Sequence, residues 1–450
     1  KSIPAATQAA LNMKSYTKHI RHVVKLHDEA LQHGGFDNVV IYSGGQHFQF
    51  LDDRPYPFSV NPLFKYWCPL TNQPDCFIVH QPGEKPVLLF YQPVDYWHLV
   101  KPLPDAFWVS YFDVRVVSQF SEAKEIVAKL PGRTAFLCEW NKQFDSWKTL
   151  EGNPQGLLDY LHFYRAYKTP YEIECTRGAS KLGAKAHHAA AQAFRDGASE
   201  YEINLAYCSS IQHTEHELPY SNIVALNQHA ATLHYQWLDR DAPPVNERHS
   251  FLIDAGASYN GYASDITRTY SYQDTEFQEL IDAMDAMQQR LCAGVVHNHK
   301  FTALHETTHH EIAKILSTFN FVNASVDEIV ETGISRTFYP HGLGHFLGLQ
   351  VHDVGGHLVD AFGTTAPPPA HFPHLRQTRK LEDAQLITIE PGLYFIDSLL
   401  AELNQSENSG KINWAKIEQF KKFGGVRIED NVVVNGDTPI NLTREAFSNV

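Results

Sequence analysis

The sequence has no run of 18 apolar residues, no Cys-x-x-Cys spacing, and no apolar signal core in its first ten residues, Lys1 to Ala10. The first absence argues against a helix that crosses a bilayer. The last argues against a secretory signal. The six cysteines, Cys68, Cys76, Cys138, Cys175, Cys208 and Cys292, are scattered, which fits reduced, mostly buried thiols in a cytoplasmic protein. Positive charge is also short. Against 51 acidic side chains stand 37 basic ones, a net charge of −14, so neither nucleic acid nor an anionic membrane is expected as the main partner. No internal repeat or low-complexity tract is present. What the chain does have is apolar mass: 43% of 450 residues are apolar and 12% aromatic. That is enough for more than one hydrophobic core and too much for a disordered chain, and the length fits two or three domains.

The stretch from Ile3 to His33 carries Leu11, Tyr16, Ile20, Val23, Val24 and Leu31 at helical spacing, which predicts an amphipathic helix ended by Gly34-Gly35. Short apolar runs at Asn38–Tyr42, Cys76–His80, Val87–Tyr91, Val114–Val117 and Thr134–Cys138 predict strands, with Pro82-Gly83-Glu84 as a turn and a helix over Ser121–Leu130. Alternating strands and helices make residues 1–158 an α/β domain. A Pro/Gly-punctuated boundary follows. Residues 159–450 open with a helical stretch from Leu157 to Asn204, interrupted at Pro170, and two more helices are expected at Glu276–Val296 and Ala303–Ser317. Pro367 to Pro373 reads as a loop.

Chemistry gathers in this second part. In Phe251 to Tyr270, Asn260-Gly261 is a strong two-residue hairpin signal. With that turn, paired residue numbers add up to 521, so Asp254 faces Thr267 and Asp265 faces Gly256. Asp254 and Asp265 then lie on one face as diagonal neighbours, where two carboxylates repel unless a cation sits between them. Downstream come His341, His345 and His352 among glycines, within twelve positions. Leu386 to Glu390 reads as a buried strand that ends on a carboxylate, which is costly unless the charge is paired or metal-bound. Gly425 to Val434 has the same form, with Arg427 and Glu429 on one face and an internal ion pair as the plain alternative. Four carboxylates and one imidazole suit two hard-to-borderline divalent ions such as Mn²⁺.

The order Asp254, Asp265, His345, Glu390, Glu429 resembles that of the dimetal peptidases of the pita-bread fold, which include methionine aminopeptidase, aminopeptidase P and prolidase. Phe338-Tyr-Pro-His-Gly-Leu-Gly-His345, Leu349-Gln-Val-His-Asp-Val-Gly355, Ile389-Glu-Pro-Gly-Leu-Tyr394, Leu375-Arg-Gln-Thr-Arg379 and Tyr164-Arg-Ala-Tyr-Lys168 are most similar to the prolidase branch. The resemblance covers about residues 160–435 and is weaker before them. It implies an α+β pita-bread catalytic domain after the α/β domain, two Mn²⁺ ions per subunit, a homodimer, and hydrolysis of dipeptides with a C-terminal proline. It further implies that the five residues above are the metal ligands, with Asp265 and Glu429 bridging and Glu390 also taking the proton of the attacking water. His341 and His352 would orient the substrate and stabilise the tetrahedral intermediate. His234 and Arg376 would hold the substrate's carboxylate, Tyr220 would line the pocket, and Arg427 would orient Glu429. Asp52-Asp53 and Tyr56-Pro57-Phe58 resemble the bacterial subgroup also called organophosphorus acid anhydrolases, which implies side activity on organophosphorus esters and fluorides. Aminopeptidase P-like cleavage of longer peptides and a non-enzymatic binding module are the rival readings.

One motif points elsewhere. His305-Glu306-Thr-Thr-His309 matches the zinc-protease helix, with Glu328 or Glu331 as a third ligand. With 26 histidines in 450 positions, about 1.5 such pairs arise by chance, so both are expected to be solvated or capping groups beside an apolar stripe. His187-His188 and Glu215-His216-Glu217 are read as surface or helix polar groups.

Overall fold

The computed structural model describes residues 5–147 and 150–450. Two compact units divide the chain: residues 1–174 with 360–364, and residues 175–359 with 365–450. The expected boundary at 158/159 falls inside a helix.

In the first unit, α1 (Ala5–Gly34) buries Tyr16, Ile20, Val23, Leu26 and Leu31. Ile3, at its expected start, lies outside the described residues. The strands are β1 (Asn38–Tyr42), β2 (Phe77–His80), β3 (Val87–Tyr91), β4 (Asp113–Val117), β5 (Thr134–Leu137) and β6 (Leu150–Gly152), with short α2 (Pro62–Trp67), α3 (Phe120–Ala128) and α4 (Gln155–Arg165). They form one mixed sheet in the order β4-β3-β2-β1-β5-β6. β1, β2 and β5 are buried along their whole length, which is why they read as continuous apolar runs.

The second unit begins in α5 (Pro170–Arg195), which Pro170 opens, and α6 (Glu200–Ile211). The helical stretch predicted with one interruption, at Pro170, is therefore three helices, α4, α5 and α6. Gly197, at φ 94°, and the Ser199/Glu202 capping box break it a second time. Strands β7 (Ile223–Leu226), β8 (Ser250–Asp254) and β11 (Thr267–Ser271) form one antiparallel sheet beside the small hairpin β9 (Ser258–Tyr259) and β10 (Tyr262–Ala263). After α7 (Thr275–Ala293), α8 (Phe301–Thr318), α9 (Val326–Glu331) and α10 (Ile334–Phe338) come β12 (Leu386–Ile389), β13 (Gly392–Tyr394), α11 (Asp397–Gln405), α12 (Trp414–Phe420), β14 (Gly425–Arg427), β15 (Asp430–Val433), β16 (Ile440–Asn441) and α13 (Leu442–Phe447). The faces of α5 and α6 bury Ala186, Phe194, Ile203 and Tyr207 against Val224, Phe251 and Ile253 of the sheet.

Both antiparallel ribbons of this unit keep one register across an interruption. Asn260 and Gly261 have positive φ at the turn, and pairs on both sides of the break, Tyr262 with Tyr259 and Thr267 with Asp254, keep the expected total of 521. Gly256 is required here because a Cβ would overlap the Ser264 carbonyl oxygen. The second ribbon differs from expectation. Gly425 to Val434 is not one strand but β14 and β15, which pair with β13 and β12. Ile389 faces Asp430 and Gly392 faces Arg427, so the register total is 819 on both sides and Glu390 stands opposite Glu429. The ladder stops because Pro391 has no N–H, the Glu390 N–H donates to Leu343 O, and the Glu429 N–H donates to Thr267 O of the first ribbon.

Candidate metal centre

The two interruptions bring the acids together. Asp254 ends β8, and Asp265 follows β10. The Tyr220 hydroxyl lies 2.8 Å from Asp254 Oδ1 and 2.6 Å from Asp265 Oδ1; its single proton cannot satisfy both. Asp265 Oδ2 and Glu390 Oε1 each lie 3.4 Å from His345 Nε2. His345 Nδ1 is 2.8 Å from Phe346 O. Donation there fixes the tautomer and leaves the Nε2 lone pair for an acceptor role. Gly344 precedes it because a Cβ would overlap the Thr388 carbonyl oxygen, and the Thr388 hydroxyl accepts from the His345 N–H and donates to Glu390 Oε1. Glu429 Oε2 accepts from Thr267 Oγ1 at 2.7 Å, while its Oε1 is buried with no partner among the described residues. Ligand atoms of Asp265, His345 and Glu429 lie within 4.8 Å of one another.

The electrostatics are those of crowded anions. Burial, then the neighbouring Asp265 charge, raises the Asp254 pKa. Burial pushes Glu390 up to about 7, with Asp265 and Asp254 adding to it. Glu429 rises well above the carboxylate range from burial and then the charges of Asp265, Glu390 and Asp254. Burial opposes ionisation of both Asp265 and His345, but their contact outweighs it, lowering the first and raising the second. Four carboxylates, one imidazole with a directed lone pair and an orphaned Glu429 oxygen fit divalent cations as the missing positive charge.

Around this cluster, Arg427 is buried and donates from Nη2 to Asp254 Oδ2 and from Nη1 to the Tyr394 hydroxyl, both at 3.0 Å. Its expected partner Glu429 is held by Thr267 instead, because the break after β14 turns Glu429 toward the other ribbon. Tyr394, which sequence reasoning did not single out as a functional group, lies 2.7 Å from His341 Nε2. His341 Nδ1 is 2.8 Å from Gly342 O, so both ring nitrogens are engaged. Burial, then Arg427, lowers the His341 pKa to about 3. His352 is exposed, its ring centroid 4.5 Å from that of His345. Burial of its ring, then His345 and Arg376, lowers its pKa to about 4. Arg376 and His234 are exposed and both within electrostatic reach of His352.

The zinc-like pair does not join this site. His305 and His309 are buried, 1% exposed, and pack on Phe372 and Tyr339. Contrary to the expectation from sequence they are not solvated, because their helix face is covered. Glu306 is exposed and Glu328 pairs with Lys411 at 2.8 Å. His187 is also buried, its Nε2 2.9 Å from Ala255 O, next to Asp254; only His188 is at the surface.

Known proteins match along most of the chain. Residues 14–163 match the Xaa-Pro dipeptidase N-terminal domain and residues 174–436 match metallopeptidase family M24. A Xaa-Pro dipeptidase of Aeromonas hydrophila is 46% identical over 431 residues, 96% of this chain and 98% of its own. One of Stenotrophomonas maltophilia is 45% identical over 434 residues, 96% and 97%. Among solved structures, Escherichia coli aminopeptidase P with the inhibitor Pro-Leu superposes with a TM-score of 0.72 at 22% identity, over 96% of this chain and 95% of that one. The Pseudomonas aeruginosa aminopeptidase PepP gives 0.73 at 21% identity, over 95% of both. These two show the fold alone. With the family model spanning the residues that build the acid cluster, the chain belongs to metallopeptidase family M24, its second unit being the pita-bread catalytic domain of a metal-dependent hydrolase.

Proposed function

We propose that this protein is a Xaa-Pro dipeptidase that works with two Mn²⁺ ions held by Asp254, Asp265, His345, Glu390 and Glu429. The observation that carries the reading is the convergence of those five side chains from separate segments, with Glu390 opposite Glu429 and Asp265 beside both His345 and Tyr220. Asp265 and Glu429, the two most buried acids of the set, suit the bridging positions. A pair of divalent ions supplies Lewis acidity and a bound water of lowered pKa. Glu390, beside His345 and held by the Thr388 hydroxyl, would accept a proton from the attacking water and return it to the leaving nitrogen of proline. His352 has accessible ring nitrogens and donates to the carbonyl oxygen as charge develops. His341, whose ring nitrogens are engaged by Gly342 O and the Tyr394 hydroxyl, would orient the substrate from the pocket wall. Tyr220 orients Asp254 and Asp265, and Arg427 orients Asp254. Arg376 and His234, both near His352, meet the substrate's terminal carboxylate. That anchor favours dipeptides over the longer peptides an aminopeptidase P-like enzyme would take.

The same centre would attack phosphorus in organophosphorus esters and fluorides, as both reactions put negative charge on an oxygen facing the ions. The protein works as a homodimer. Its six buried cysteines, none of them in a disulfide, fit the reducing cytoplasm, and no described helix is long and apolar enough to cross a membrane. The test is metal analysis of protein purified without added metal, together with assays on a Xaa-Pro dipeptide and a Xaa-Pro tripeptide. Two ions per chain and strong preference for the dipeptide are expected. Full activity with one ion, or a preference for the tripeptide, would overturn the corresponding part.

A further inference from the structure

Glu200, the first residue of α6, is only 1% exposed, yet it belongs neither to the acid cluster nor to any role given above. Its carboxylate accepts four hydrogen bonds. Oε1 takes the Leu226 N–H at 2.9 Å and lies 2.7 Å from His229 Nδ1; Oε2 takes the Tyr235 hydroxyl at 2.7 Å and the Asp239 N–H at 2.8 Å. All four donors come from one segment, 226–239, and they flank His234. That histidine sits in a turn closed by the Tyr235 N–H to Thr232 O bond. Its neighbour Tyr235 stacks on His229 with ring centroids 4.5 Å apart and planes 19° apart. The Tyr201 N–H to Asp239 O bond pins the far end of the segment to the same helix start. A buried carboxylate held by four hydrogen bonds is fixed in place, and so is the segment that supplies them. His234 itself is left exposed, its side chain without a hydrogen bond among the described residues, within electrostatic reach of His341 and His352.

We propose that Glu200 is a positioning residue that holds the 226–239 segment so that His234 meets the substrate's carboxylate; this rests on the assignment of His234 above. Glu200→Gln keeps the shape but turns an NH₂ toward two of the four donors, which loosens one side of the clamp. The expected result is a KM for the Xaa-Pro acid raised about tenfold with kcat within about threefold, and a much smaller change for the Xaa-Pro amide. His234→Ala should show the same acid-selective loss, and the double variant should match it rather than multiply the two losses. Equal losses on acid and amide, or multiplicative losses in the double variant, overturn the proposal while leaving His234 in its role. If His234→Ala itself does not separate acid from amide, the His234 assignment fails and the positioning role fails with it. Should Glu200→Gln lose its near-UV circular dichroism, Tyr235→Phe decides. It removes one bond of four and should raise KM for the acid in the same selective way, and no selective change would overturn the proposal.

Discussion

His309 offers a direct test of how the buried histidine pair is read. Burial, then the charges of His305 and Arg336, lowers the His309 pKa to about 3 from an ordinary 6.5. A histidine held neutral in the fold contributes stability that is fully present above 6.5 and is lost as pH falls from there toward 3, because the unfolded chain takes up a proton that the folded one refuses. From about pH 7.5 to about pH 5 the unfolded state of this one residue gains roughly 2 kcal/mol through proton binding, at about 1.4 kcal/mol per pH unit once below its pKa. His309→Gln does not titrate and can still hydrogen-bond Ser335 Oγ, which lies 3.0 Å from His309 Nδ1. Urea unfolding of both proteins at the two pH values gives the answer, because other titrating groups cancel in the difference. Altered packing on Phe372 changes the starting stability equally at both pH values, so on acidification the variant should lose about 2 kcal/mol less than the parent. A difference that does not change with pH would refute the buried, neutral assignment. Metal content and dipeptide cleavage at neutral pH should be retained; their loss in folded protein would return His305 and His309 to a metal-binding role.

Asp265→Asn should remove most activity and lower metal content, read by elemental analysis and a Xaa-Pro assay, since an amide is a poor bridge between two cations; organophosphorus hydrolysis should disappear with it. Arg376→Ala should reduce kcat/KM on the Xaa-Pro acid by roughly 1.5–3 kcal/mol, the range for a charged hydrogen bond, and by much less on the amide. Comparing both substrates in both proteins checks this, and equal losses would remove Arg376 as the anchor. Arg427→Met leaves Asp254 buried beside Asp265 without its cation and should destabilise metal-depleted protein by about 3–5 kcal/mol in urea unfolding. An effect below about 1 kcal/mol would mean that the ion pair is offset by its own desolvation.

Much of this was legible because it depends on local rules. Apolar runs marked β1, β2, β3 and β5, and Asn260-Gly261 set a register that carried Asp254 and Asp265 to one face. What was not legible depends on contacts between segments far apart in the chain. Nothing in the run from Gly425 to Val434 marks the break at Ile428-Glu429, since the interruption comes from Pro391 on the opposite strand and from Thr267 on the other ribbon. Arg427 was assigned to its near neighbour Glu429, but its partner is 173 positions away. Tyr394 was visible only as part of a resembling string. His187, His305 and His309 lie on helices whose covered faces cannot be told from exposed ones by a polar residue alone.

The two ribbons also explain why the acids stand where they do. Like charges directly opposite each other in a ladder are destabilising, and Glu390 opposite Glu429 is such a pair. In an unbroken ribbon both would be held at the pleat spacing, with their backbones bonded to each other. Here each backbone bonds outward: Glu390 to Leu343, and Glu429 to Thr267, whose hydroxyl also donates to Glu429 Oε2. Arg268 reinforces the crossing, donating to Glu429 O and to Asp430 Oδ1. The interruption of one ribbon is thus tied to the interruption of the other, at Thr267, directly opposite Asp254. Four carboxylates are forced into one buried place by backbone bonds whose formation does not depend on the charges. The repulsion among them is then built into the fold; it adds to burial in raising the pKa values of Asp254, Glu390 and Glu429, and divalent cations would relieve it.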